Sequence, residues 1–157
     1  MHTEIREAGP ADVESIYRLL YPYAQENIIL ERSREEIAKS IDKFLVAAYT
    51  TDIVGAVSYY DYGTALKEVR SLAVKKDSGG SGTGSALVRG LLAMLLERFP
   101  GAKIFVLTYS PGFFGRLGFI EVPRETLPEK IWKDCDHCKN RENCGETALV
   151  FVRDGCR

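Results

Sequence analysis

The sequence predicts an α+β domain built on a mixed, mostly antiparallel twisted sheet, with helices on both faces. Three runs rich in β-branched and aromatic residues, 44–49, 53–60 and 67–74, follow one another across short turns and predict an antiparallel meander. Segments with helical periodicity stand before and after this meander, and another strand-like run covers 103–108. With 157 residues and 45% hydrophobic content, the chain suits one domain with a full core, which we assign to 1–157.

The N-terminal third predicts a short strand and two helices. Thr3 to Glu7 forms the strand, and Pro10 stands where the first helix begins. That helix is expected to end near Pro22, and its apolar residues recur at i, i+3, i+4 and i+7, at Val13, Ile16, Tyr17 and Leu20. The second helix starts at Ser33, because Ser33 and Glu36 have the spacing of a capping box ahead of Ile37 and Ile41.

The C-terminal half alternates helices with strands. A helix follows a glycine-rich segment, places Leu87, Leu91 and Leu95 on one line, and ends around 99–101. A buried strand is expected at 103–108, a short helix from Pro111, and a last strand at 148–153. The apolar face of the long helix must therefore cover the sheet.

The glycine-rich segment is the strongest functional signal. Gly79, Gly80, Gly82 and Gly84 follow the third strand of the meander and lead directly into a helix. Glycines let the backbone approach a ligand closely, and the amides and dipole of a helix N-terminus favour a phosphate. The segment lacks the Gly-Lys-Ser/Thr ending of a Walker A loop and the distant acidic residue of a dinucleotide fold. It predicts a site for a phosphorylated cofactor, with a flexible turn as the alternative.

Two stretches, 72–88 and 104–122, resemble the central motifs of the GNAT superfamily of N-acetyltransferases. The resemblance implies the GNAT fold, with the order β-α-α-β-β-β-α-β-α-β-β, a splayed central strand pair, and a turn at Gly118 between a short helix and a strand. It implies acetyl-CoA as co-substrate, with its pyrophosphate held by Gly79, Gly80, Ser81, Gly82, Thr83, Gly84 and Ser85, and its pantetheine paired with the backbone of Leu72, Ala73 and Val74. Gly79 replaces the Gln or Arg that usually leads this loop.

Four shorter stretches, 30–35, 68–74, 106–108 and 127–128, further resemble the acetyltransferase domain of bacterial N-acetylglutamate synthases. This resemblance spans residues 3–153 and implies acetylation of the α-amine of L-glutamate, the first step of arginine biosynthesis. It implies Glu68 as the base, acting through an ordered water, and Arg32 as a clamp on the acidic substrate. Leu30, Arg70 and Ser71 belong to the same substrate region.

The residues themselves also favour a carboxylate base. His2 is terminal and His137 lies within a cysteine cluster, so neither histidine suits the role. Strand alternation puts Glu68 on the same face as Arg70 and Leu72, where it can face a cleft.

Arg32 and Arg70 suit a dicarboxylate acceptor, because a guanidinium holds a carboxylate through two parallel hydrogen bonds. The alternatives stay open. Glu68 could pair with Arg70 or Lys67 on a solvated strand end, and both arginines could be ordinary surface ions.

The acid that protonates the leaving thiolate is less well defined. Many GNAT enzymes carry a tyrosine shortly before the last Gly-Phe, whereas this chain has Phe114 at the aligned position. Tyr109 and Ser110 follow the strand at 103–108, and either hydroxyl could donate the proton, with Tyr109 favoured. Phe113 and Phe114 either wall the pantetheine channel or fill the core, and at least one is expected in the core.

A cysteine-containing segment occupies about 124–147. Cys135, Cys138 and Cys144 have the spacing C-x2-C-x5-C, which could contribute to a structural zinc site. No second C-x2-C pair accompanies them in the sequence, so we favour reduced thiols over a metal site or a disulfide.

Charge and composition define the partners. The 21 basic and 22 acidic residues nearly cancel, which argues against nucleic acid or a membrane surface as the main partner and favours a small molecule, which the resemblance implies is an amine. The N-terminal residues lack an apolar signal region and no apolar stretch is long enough to cross a bilayer, so we expect a cytoplasmic protein. A homodimer stays open. Other acceptors also remain, namely another amino acid, a polyamine or a protein N-terminus, as does a non-catalytic acetyl-CoA-binding or metal-binding regulatory module.

Overall fold

The computed structural model describes residues 3–29, 31–63, 65–75, 82–127 and 146–152. The strands within these ranges are β1 (Glu4–Glu7), β2 (Phe44–Tyr49), β3 (Asp52–Asp61), β4 (Leu66–Val74), β5 (Lys103–Thr108), β6 (Phe119–Glu121) and β7 (Thr147–Phe151). The α-helices within them are α1 (Val13–Gln25), α2 (Arg34–Lys39), α3 (Thr83–Arg98) and α4 (Pro111–Gly115). The element order agrees with the predicted one.

The described strands form one sheet in the order β1-β2-β3-β4-β5-β7-β6. Neighbouring strands are antiparallel except for the parallel pair β4–β5 at the centre. The predicted α+β class, its mixed and mostly antiparallel sheet, and the meander of β2, β3 and β4 are therefore confirmed.

The central parallel pair is splayed, as the fold requires. β4 pairs with β5 only from Leu66 opposite Lys103 to Val69 opposite Val106. Beyond that register, β4 continues to Val74 and β5 to Thr108 without pairing with each other. The backbone of β4 between residues 70 and 74 therefore borders a gap in the sheet.

Helices cover both faces of the sheet, as predicted. On one face, α3 buries its apolar stripe in the larger core cluster, with Leu87, Leu91 and Leu95 fully buried. Burial of each such side chain contributes about 1.5–3 kcal/mol before the entropy cost of ordering it. On the other face, Ile16, Leu20 and Ile37 of α1 and α2 pack in a second cluster against β2, β3 and the end of β4. A third cluster around Phe105 and Leu127 covers the β5–β7 part of that face.

Gly55 on β3 sets the distance between the sheet and α3. A Cβ atom added there would lie 2.8 Å from Cδ1 of Leu87 and 3.2 Å from Cγ2 of Thr83. Because no larger residue fits at this spacing, Gly55 allows the first turns of α3 to lie directly on the strand.

The capping box of α2 is confirmed atom by atom. The Ser33 hydroxyl accepts a hydrogen bond from the Glu36 amide at 3.1 Å, and the Glu36 carboxylate accepts one from the Ser33 amide at 3.0 Å. Ile37 is buried, whereas Ile41 lies beyond the helix in a short 3₁₀ turn.

The predicted end of the first helix near Pro22 is wrong, because α1 continues through Pro22 to Gln25. The residue after the proline explains this. The Tyr23 hydroxyl donates a hydrogen bond of 2.6 Å to the Val74 carbonyl at the end of β4. This tertiary contact holds the last turn of the helix in place, where propensity alone would have stopped it.

A β-bulge interrupts β4. Ala73 pairs with Ala56 and Arg70 with Ser58, so Ser71 and Leu72 together oppose Val57. Ser71 adopts a left-handed conformation with φ of 53°. The prediction that Leu72 shares a face with Glu68 and Arg70 is therefore wrong, because one extra residue reverses the alternation. Leu72 packs in the α3 cluster instead.

Among the described residues, no helix is both long enough and apolar enough to span a membrane.

Candidate active site

Glu68 lies at the centre of a buried polar cluster on β4, with only 7% of its surface exposed. Its Oε1 atom accepts a hydrogen bond of 2.7 Å from Nε of Arg70 and one of 2.9 Å from the hydroxyl of Tyr62. Nη2 of Arg70 in turn donates to the Tyr62 hydroxyl at 2.7 Å. The three side chains therefore form a closed triangle of hydrogen bonds.

Aromatic rings enclose the Arg70 end of this triangle. The guanidinium carbon lies 4.2 Å from the ring centre of Tyr60 and 5.8 Å from that of Tyr62. The two rings are themselves 4.6 Å apart. Arg70 is thus held by an ion pair and by π faces, and it is no ordinary surface ion.

The structure partly agrees with the alternative in which Glu68 only forms an ion pair with a neighbouring cation. Glu68 does pair with Arg70, but in a buried cluster and not at a solvated strand end. Lys67 points to the opposite face of the sheet, where it forms an ion pair with Asp61 at 2.8 Å. Of the predicted substrate residues, the structure brings Arg70 to Glu68.

Arg32 lies in the segment that connects α1 to α2, and 22% of its side chain is exposed. Its guanidinium lies 3.9 Å from the carboxylate of Glu36, one helical turn further on. In the described part of the chain, no hydrogen bond or ion pair joins Arg32 to Glu68 or Arg70. Ser71 forms the bulge beside Arg70, and Leu30 lies outside the described residues.

Three elements meet at the wide end of the gap between β4 and β5. Gly82 caps α3 with a φ of 81°, a conformation that residues with a side chain rarely adopt. A Cβ atom on Gly84 would lie 3.4 Å from Cζ of Phe113 and 3.7 Å from Cγ2 of Val74. The N-terminus of α3, the end of β4 and the start of α4 thus form one small cradle. Gly79, Gly80 and Ser81 lie outside the described residues, whereas Thr83 and Ser85 lie in the first turn of α3.

Contacts with β3 and with the clusters on both faces of the sheet hold the end of β4. The Lys75 amide donates to the Val54 carbonyl of β3 at 2.8 Å, which turns the Val74 carbonyl away from β3. Leu72 and Val74 pack towards α3, and Ala73 packs towards α1 and α2. This geometry suits a strand whose backbone pairs with a ligand on its β5 side.

The two residues that could protonate the leaving thiolate, Tyr109 and Ser110, directly follow β5. Tyr109 is 39% exposed, and Ser110 is exposed with its amide donating to Oγ1 of Thr108 at 2.9 Å. Phe114 is 4% exposed and belongs to the α3 core, which confirms that at least one of the two phenylalanines fills the core. Phe113 packs at the margin of that core against the position of Gly84.

Lys67 occupies a fully buried position behind the site. Its ammonium donates to Oδ1 of Asp61 at 2.8 Å and to the Gly63 carbonyl, and it lies 4.2 Å above the ring centre of Phe99. The hydrogen bond from Lys67 lowers the pKa of the Asp61 carboxyl below its usual value. These contacts fix the turn between β3 and β4.

Sequence reasoning missed Tyr60 and Tyr62. The available signal was their alternation just before the β3–β4 turn, because Tyr60 is the cross-strand partner of Glu68. The cysteines of the candidate zinc site, Cys135, Cys138 and Cys144, lie outside the described residues.

Comparison with known proteins agrees with this architecture. A family model described as an acetyltransferase (GNAT) domain matches residues 15–133. An uncharacterized N-acetyltransferase from Chlorobaculum tepidum is 40% identical over 148 residues, which cover 94% of this chain and 95% of that protein. An amino-acid acetyltransferase from Mycobacterium tuberculosis is 31% identical over 133 residues, which cover 83% of this chain and 75% of that protein.

Among solved structures, the chain is similar to N-acetylglutamate synthase from Neisseria gonorrhoeae complexed with coenzyme A and N-acetyl-glutamate. The TM-score is 0.85 at 24% identity, and the match covers 96% of this chain and 35% of that chain. The chain thus spans about a third of the length of that longer protein, and at this identity the likeness shows the fold.

Proposed function

The chain belongs to the GNAT family of acetyl-CoA-dependent N-acetyltransferases, and on that premise we propose that its acceptor is the α-amine of L-glutamate. The observation that carries the proposal is the buried Glu68–Arg70 pair on β4, at the point where β4 and β5 diverge. Its support from relatives is the similarity to amino-acid acetyltransferases at 31% identity. The proposal makes the protein a cytoplasmic enzyme of the first step of arginine biosynthesis.

The described residues fit acetyl-CoA. The left-handed Gly82 and the N-terminus of α3 suit a pyrophosphate, because a helix N-terminus presents amides and a partial positive charge to an anion. The backbone of residues 72–74 borders the gap that a pantetheine chain would fill, and Phe113 lies at its mouth. When bound there, acetyl-CoA supplies the acetyl group as an activated thioester.

Glu68 is proposed to remove a proton from the ammonium group of the acceptor, directly or through one water, so that the nitrogen can attack a carbonyl carbon. A carboxylate held by two donors keeps a fixed orientation towards its partner. Burial also protects this proton transfer from competing bulk water.

Arg32 and Arg70 are proposed to attract the two carboxylates of glutamate. Arg70 is held beside the base, and Arg32 lies in the segment between α1 and α2. Both side chains are mostly buried cations, and a mostly buried cation attracts an amino acid with a second carboxylate more strongly than one without it. Tyr109 or Ser110 is proposed to protonate the leaving thiolate, because both residues carry a hydroxyl and directly follow β5, the strand that borders the gap.

The test is release of free CoA by the purified protein with acetyl-CoA and a panel of L-amino acids, polyamines and peptides, with the product mass confirmed. We expect release with glutamate, or with a close analogue such as glutamine or aspartate. Release only with a polyamine or a peptide would discard the proposed acceptor while leaving the family intact.

Glu68→Gln provides the matched variant, since it keeps the size and hydrogen bonding of the side chain and removes the base. We expect kcat to fall about 100-fold or more, with unchanged affinity for acetyl-CoA. Turnover equal to that of the unaltered protein would remove Glu68 from the mechanism.

A further inference from the structure

Tyr62 stands between the two charged residues of the β4 cluster, although it comes from the turn between β3 and β4. Its hydroxyl accepts a hydrogen bond from Arg70 at 2.7 Å and donates one to Glu68 at 2.9 Å. Its ring lies 5.9 Å from that of Phe105, in the apolar cluster beneath the site. The hydroxyl is thus held through the packing of its ring and through hydrogen bonds with Arg70 and Glu68.

We propose that Tyr62 is a positioning residue for acetyl transfer, which fixes the Glu68 carboxylate and the Arg70 guanidinium relative to each other. The inference rests on the proposed function, because it assigns Glu68 the part of the base. The sequence predicts only that Glu68 and Arg70 share a strand. Tyr62 joins this pair from a different segment, the turn between β3 and β4.

The geometry explains why a tyrosine suits this position. Arg70 and Glu68 lie two residues apart on one strand and share a single hydrogen bond through Nε. The Tyr62 hydroxyl closes the triangle, and it does so without adding a charge, because a phenol both accepts and donates. A second cation there would compete with the acceptor amine for the carboxylate.

The turn that carries Tyr62 is itself held from the opposite face of the sheet. The buried ammonium of Lys67 binds Oδ1 of Asp61 and the carbonyl of Gly63, the two neighbours of Tyr62. The Tyr62 amide also donates to the Leu66 carbonyl at 3.1 Å. The backbone on both sides of Tyr62 is therefore fixed, so the position of its hydroxyl follows from the fold.

The experiment compares Tyr62→Phe with Tyr59→Phe across a range of pH, using the acceptor that the CoA-release panel identifies. Tyr59 is a matched control, because it is a buried tyrosine at the same end of β3 whose ring faces α3 on the other side of the sheet. For Tyr62→Phe we expect kcat/KM to fall about tenfold, with an unchanged KM for acetyl-CoA. The acid limb of its rate–pH profile should move to higher pH, because the carboxylate loses a donor that favours its charged form.

A purely structural role would lower the melting temperature without moving the pH limb. The inference is overturned if Tyr62→Phe has the kcat/KM and pH limb of Tyr59→Phe. Carbon-13 NMR of the Glu68 carboxyl, assigned by its loss in Glu68→Gln, reads the same contact without turnover. If no acceptor is found, the proposed function fails, and the NMR titration then tests the Tyr62 contact on its own: a Glu68 titration that is unchanged in Tyr62→Phe also overturns the inference.

Discussion

Removing either partner of the Lys67–Asp61 ion pair should destabilise the protein by very different amounts. Lys67 is fully buried, whereas 36% of the Asp61 side chain is exposed. In Asp61→Ala, the ammonium keeps, within the described structure, one hydrogen bond to the Gly63 carbonyl and a cation–π contact with the Phe99 ring. In Lys67→Met, the Asp61 carboxylate keeps solvent and the Gly63 amide, which donates to it at 2.8 Å.

The magnitudes follow from this asymmetry. A buried charge that loses its partner costs about 3–5 kcal/mol. We therefore expect Asp61→Ala to lower the free energy of unfolding by about 3–5 kcal/mol. Lys67→Met should cost about 1 kcal/mol or less, because methionine can occupy the buried position of the lysine against the Phe99 ring and the remaining carboxylate is hydrated.

Urea unfolding of the unaltered protein, the two single variants and the double variant measures these values. The double variant Asp61→Ala/Lys67→Met should be more stable than Asp61→Ala alone, because it removes the stranded charge. The reasoning is refuted if Lys67→Met is as destabilising as Asp61→Ala, or if the double variant is the least stable of the four.

Two further predictions concern pH and packing. The lowered pKa of Asp61 contributes stability above the pKa of an unfolded carboxyl, near 4, and this contribution is lost as the pH falls through the folded-state value. The stability difference between the unaltered protein and Lys67→Met, measured by thermal melts from pH 7 to pH 2, should therefore shrink below about pH 4, and a constant difference would contradict this. Gly55→Ala should lower the free energy of unfolding by about 1–3 kcal/mol, because the added Cβ would lie 2.8 Å from Cδ1 of Leu87. Gly115→Ala is the control and should be nearly neutral, because a Cβ there would have nothing within 4 Å. Equal unfolding midpoints of the two variants would show that α3 can shift to accept the extra atom.

The elements that local signals define were predictable from the sequence. The capping residues Ser33 and Glu36 specify the start of α2 through contacts three residues apart, and the structure reproduces both hydrogen bonds. The bounds of β2 and β5 agree with the predicted runs, because buried strands are continuous apolar segments between turn residues. The Glu68–Arg70 pairing was also predictable, because residues two apart on a strand lie on the same face.

The features that depend on distant partners could not be predicted. The bulge at Ser71 is a matter of register between β3 and β4, and no local pattern indicates that one extra residue stands there. The last turn of α1 depends on a hydrogen bond from Tyr23 to a carbonyl 51 residues away. The burial of Lys67 requires the Phe99 ring, which arrives from the end of α3. In each case the deciding contact joins segments whose proximity is known only after folding.

The extra residue in β4 limits how the length of this strand can vary among related chains. Before Ser71, the even-numbered residues Glu68 and Arg70 face the polar cluster, and after it the even-numbered Leu72 and Val74 face the core of α3. Deleting one residue there would restore regular alternation and force either two charged side chains or two aliphatic ones onto the wrong side. Length variation should therefore be tolerated in neighbouring turns but not within this strand. A chimera that joins the first half of β4 from one relative to the second half from another should fold only if it keeps the extra residue of the bulge.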